Sequence, residues 1–84
     1  MIKVLVMDVN DFLERFSELF DETPRSEITE DIDFKNMDEW SSLIGLSVIA
    51  MVDEYYSVRI TGEDIRNSKT ILELYTVVSE KANG

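Results

Sequence analysis

Eighty-four residues, 44% of them apolar, make one domain near the size at which a single core is barely sufficient. With no cysteine and no histidine, the chain lacks a thiol nucleophile, disulfide staples, the usual general base near neutral pH and the commonest metal ligand, which argues against most catalytic chemistry. Eighteen acids against eight bases give a net charge of −10, which disfavours nucleic acid and favours basic protein partners, although solubility alone is the plainer reading of that charge.

Residues 1–7 allow two readings. Ile2 to Met7 is too short for a secretory signal, and Met7 would itself make an acceptable start, leaving a poorly ordered extension before it. A short strand is the other reading, with nothing obvious to pair with. Phe12, Leu13, Phe16, Leu19 and Phe20 then fall on one face of an amphipathic helix. Asp8 or Asn10 would cap it, and it is predicted to end near Glu22, before Thr23-Pro24.

Residues 23–40 read as a long connection whose Ile28, Ile32, Phe34 and Met37 are spaced as anchors over a core. A second helix is predicted from Ser42 to Tyr56, with Gly45, Val48, Ile49, Val52 and Tyr56 toward the core. Leu43, Ile44, Ser47, Ala50, Met51 and Glu54 are placed on a second face beside Ser42. That face is apolar enough to predict a partner-recognition surface. No basic residue occurs from Asn36 to Val58, so the segment is read as wholly anionic and suited to Lys/Arg patches.

Val58 and Ile60 turn inward in an extended link. Thr61 to Asp64 has capping-box spacing for a short helix through about Asn67, and Thr70 to Glu73 for a last helix containing Ile71, Leu74, Tyr75 and Val78. The fold class is therefore an all-α, small four-helix bundle occupying residues 8–81, with a frayed tail at 82–84. No stretch has the roughly 20 apolar residues needed to span a membrane.

The run Asp38-Glu39-Trp40-Ser41-Ser42-Leu43, followed by Leu46, Val48, Ile49, Val52, Asp53-Glu54 and Tyr56, resembles the acyl carrier proteins. In that family an Asp-Ser-Leu signature opens the second helix. The resemblance runs in order over nearly all of residues 8–80, through Ile28 and Phe34 in the first loop, Val58 and Ile60, and Thr70-Ile71. It implies a bundle of acyl-carrier type. It also implies a covalent phosphopantetheine arm on Ser42, attached by a phosphopantetheinyl transferase, whose thiol holds an acyl or aminoacyl group as a thioester.

Such a protein is a non-catalytic cytoplasmic monomer that serves acyl-activating or acyl-transferring enzymes with basic or apolar docking surfaces. Two departures stand out. Ser41 replaces the family's aspartate, and Ile44 and Ser47 replace acids of the housekeeping fatty-acid carriers. They point to a specialised fatty-acid, polyketide, nonribosomal peptide or envelope-lipid pathway.

Three other readings are weighed. Ser42 could be a plain N-cap, with the chain an unmodified carrier-like interaction module, or Ser41 could be the acceptor. Calcium binding through Asp31, Asp33 and Asp38 fails on Lys35, Asn36 and Ser42 at positions that need other residues, so no metal site is expected. A carboxylate-pair enzyme fails because Asp53 and Glu54 are adjacent on a helix and diverge, so no catalytic residue is assigned.

Overall fold

The computed structural model describes residues 8–83, so the alternatives for residues 1–7 lie outside the described residues. It contains four α-helices and no strand among those residues: α1 (Val9–Ser17), α2 (Ser42–Tyr56), α3 (Gly62–Arg66) and α4 (Ile71–Asn83). Two 3-10 turns, Arg25–Glu27 and Phe34–Asn36, shape the long first connection. The architecture is a small helical bundle. α1 packs on α2 and α4, and α3 bridges α2 and α4.

Asp8 caps α1 through a bond from the Asn10 amide. The helix ends at Ser17, well short of Glu22. The Ser17 hydroxyl donates back to the Glu14 carbonyl at 2.7 Å, and the Leu19 and Phe20 amides bond only three residues back. These tighter turns end the α-helix and swing Phe20 inward to stack on Phe16, with centroids 5.6 Å apart. Tyr56 reaches α1 from the other end of α2: its hydroxyl donates to Asp11 at 2.7 Å beside the ring of Phe12.

The first connection is anchored as its apolar spacing predicts. Ile28 and Phe34 are fully buried, and Ile32 and Met37 pack against the core at half burial. Each full anchor contributes roughly 1.5–3 kcal/mol of apolar burial, enough to hold a segment that has little regular structure of its own. The connection also reaches the start of α4. An isolated bridge joins Asp33 to Thr70, and the Leu72 amide donates to the Glu30 carbonyl at 2.8 Å.

Val58 and Ile60 are buried, as alternation in the link between α2 and α3 requires. Thr61 and Asp64 form the reciprocal capping box. At α4 only half of the box matches expectation. Thr70 Oγ1 accepts from the Glu73 amide, whereas the Glu73 carboxylate accepts from the Lys69 amide rather than from Thr70. α4 is helical to Asn83, and Lys81 near its end is held by the Asp64 carboxylate at 2.8 Å and the Arg59 carbonyl at 3.3 Å.

Candidate functional site

Three consecutive residues lead into α2, and each is fixed differently. The Glu39 carboxylate accepts from four donors: the Asp21 amide at 2.7 Å, the Glu22 amide at 3.1 Å, the Thr23 amide at 3.0 Å and the Thr23 hydroxyl at 2.7 Å. Its carboxyl is held below the ordinary glutamate range, chiefly by the Thr23 hydroxyl and then, against partial desolvation, by the backbone amides. Trp40 sets its indole edge-on to Phe34 at 5.1 Å and near Phe20 at 6.5 Å. Ser41 is in extended conformation, and its hydroxyl oxygen accepts from the Ile44 amide at 3.2 Å.

Ser41, not Ser42, is therefore the N-cap of α2. The plain-cap reading of Ser42 is corrected. Ser42 is the first residue inside the helix, exposed, and among the described residues its hydroxyl has no hydrogen-bond partner. The surrounding charge is unusual. α1, α3 and α4 each carry an acid in the first turn, respectively Asp11, Glu63 with Asp64, and Glu73, whereas α2 carries none. No acid within the first turn of α2 thus complements the positive end of its dipole.

The face predicted for partner recognition is only partly assembled. Met51 is 5% exposed and belongs to the core, and Ile44 is half-buried against it. The placement of Met51 on the open face beside Ser42 is therefore corrected. Counting about 100° per residue, Met51 lies about 180° from Ser42, on the side that meets α1. Ser47, Ala50, Met51 and Glu54 instead line a shallow groove of about 300 Å³ with Arg15, Glu18 and Leu19 of α1.

The bare side of α2 runs through Ser42, Leu43, Leu46, Ala50, Asp53 and Glu54, with Leu43 at 72% and Leu46 at 64% exposure. Leu46 and Asp53 were missed as members of this face. The signal was present, since both lie within about 40° of Ser42 around the helix. The expectation of a wholly anionic segment also changes in space: the Arg15 guanidinium lies 3.9 Å from the Tyr55 ring centroid.

Asp31 and Asp33 are engaged locally by Thr29 and Asn36, and no group of three or more acids is arranged to hold a metal among the described residues. No described helix is long and apolar enough to cross a membrane. The fold and site together define a small helical bundle presenting a free serine at a helix start. No protein-family model, curated protein or solved structure matches the chain.

Proposed function

We infer that this chain is a carrier protein that bears a phosphopantetheine arm on Ser42. One observation carries the reading: Ser41 takes over capping, which leaves the Ser42 hydroxyl exposed and uncommitted at a helix start with no acid in its first turn. A phosphodiester there would supply the missing negative charge and meet the helix's orphan backbone N–H groups. Serine and aspartate are both good caps, so Ser41 performs the local structural task open to the family's aspartate.

The chemistry asked of the chain is small. Ser42 Oγ would attack the phosphorus of coenzyme A that bears the pantetheine, losing its proton to the transferase's base. The new O–P bond replaces the pyrophosphate link, and the nucleotide bisphosphate leaves. The attached arm then supplies the thiol that this cysteine-free chain lacks, for thioester carriage of an acyl or aminoacyl group. The partner surface in this reading is Leu43, Leu46, Ala50, Asp53 and Glu54, more apolar than acidic, which suits a specialised pathway's enzymes.

The test is the intact mass of wild type, Ser42→Ala and Ser41→Ala after incubation with a promiscuous phosphopantetheinyl transferase and coenzyme A. Wild type and Ser41→Ala should gain one phosphopantetheine, and Ser42→Ala none. A wild type left unmodified by several transferases would sink the carrier reading in favour of an unmodified interaction module. Loss in Ser41→Ala alone would move the acceptor by one residue.

A further inference from the structure

We propose that Glu39 is a positioning residue for Ser42, tethering the lead-in of α2 to the loop after α1 and so fixing where the Ser42 hydroxyl projects. The consequence for modification rests on the carrier reading; the tether itself does not. Within residues 37–42, Glu39 is the one residue whose side chain hydrogen-bonds to another part of the fold among the described residues.

Three successive amides, Asp21 to Thr23, and the Thr23 hydroxyl all point at this one carboxylate. Charge-assisted bonds to backbone donors are about twice as strong as neutral ones. Glu22, Glu27 and Asp38 line the same cleft. Trp40, the next residue, is held by its ring packing on Phe34 and Phe20 and by its amide's bond to the Met37 carbonyl at 3.0 Å, a contact within the same segment. The Glu39 carboxylate, three residues before Ser42, adds the tie to residues 21–23. With Ser41 capping the helix, the backbone from Glu39 to the first turn of α2 is specified at every residue up to the free hydroxyl.

Glu39→Gln keeps the size but loses the charge and turns a carboxamide donor toward existing donors, leaving part of the cluster unpaired. Thr23→Val removes a single bond. The measurement pairs amide hydrogen exchange on the unmodified protein with kcat and KM for phosphopantetheine transfer. Glu39→Gln should speed exchange at Ile44 and Gly45 by about tenfold, while Val48, Val52 and Val78 keep their wild-type rates. Transfer should fall roughly tenfold in kcat with KM held, as expected when a nucleophile is misplaced rather than its docking lost. Thr23→Val should show the same pattern at smaller amplitude.

Unchanged exchange at Ile44 and Gly45 would overturn the proposal. So would a uniform rise that includes Val48 and Val78, or an unaltered kcat. A wild type that no transferase modifies, together with the local exchange change, would instead fail the carrier reading and uphold the tether.

Discussion

The starts of α2 and α3 use the same cap and are completed in opposite ways. Ser41 and Thr61 each accept a bond from the amide three residues on, at 3.2 and 3.1 Å. In α3 that third residue is Asp64, whose carboxylate accepts from the Thr61 amide at 2.9 Å and from Lys81 at 2.8 Å. The start of α3 is closed by its own side chains and pinned to α4. In α2 the third residue is Ile44, which has nothing to return. Its lead-in is held from outside, by Glu39 on residues 21–23 and by Trp40 on Phe34 and Phe20. A helix start can thus be held from outside without being filled, and the proposed carrier role of Ser42 rests on that geometry.

The largest effect that would break this contrast is at the offered group itself. Ser42→Ala should abolish the proposed phosphopantetheine transfer completely while leaving the unfolding free energy within about 0.5 kcal/mol of wild type, as for an exposed side chain with no partner. Transfer persisting at the wild-type rate would remove Ser42 from the site.

Next come the supports. Phe34 is fully buried and carries Trp40, so Phe34→Ala should cost about 3–5 kcal/mol in urea denaturation. A loss under 1 kcal/mol would show that the lead-in does not depend on that ring. Along α2, Met51→Ala should cost about 2–5 kcal/mol of stability, because the side chain is core. Leu46→Ala should cost almost none, yet weaken binding to a captured partner enzyme by on the order of 1–2 kcal/mol by calorimetry. Reversed results would return the partner surface to the Met51 side.

The caps sharpen the comparison directly. Ser41→Ala should cost about 1 kcal/mol and Thr61→Ala the same or slightly more, since the latter also disturbs the reciprocal bond. Ser41→Asp should hold stability and speed transfer if the transferase reads that residue. Equal rates would show that it does not.

The smallest effect is at low pH. Glu39 and Asp64 are both held below their ordinary values of 4.5 and 3.8, Glu39 first by the Thr23 hydroxyl and Asp64 first by Lys81. A carboxyl whose folded value is depressed stabilises fully above its unfolded value and loses that contribution as pH falls through the folded one. Acid denaturation curves of Glu39→Gln and Asp64→Asn should therefore be flatter below about pH 4 than that of wild type. Parallel curves would mean the two groups are not depressed. Both groups are only partly buried, so the change should be modest.

What the sequence determined by itself was local. The span of α2, the anchors Ile28 and Phe34, the inward turn of Val58 and Ile60 and the capping box at Thr61 follow from periodicity and from bonds within a few residues, which a chain encodes wherever it lies. Which serine caps α2 was beyond that reading. Ser41 and Ser42 are both competent caps, and one residue of helix boundary decides between them. The tertiary structure alone decided the rest. It covered Met51 by placing α1 against that side of α2, set Arg15 beside Tyr55, and aimed the amides of residues 21–23 at Glu39, 16 to 18 residues away along the chain. Those facts depend on how helices and loops meet in space, and no local pattern specifies a meeting between segments that the sequence keeps apart.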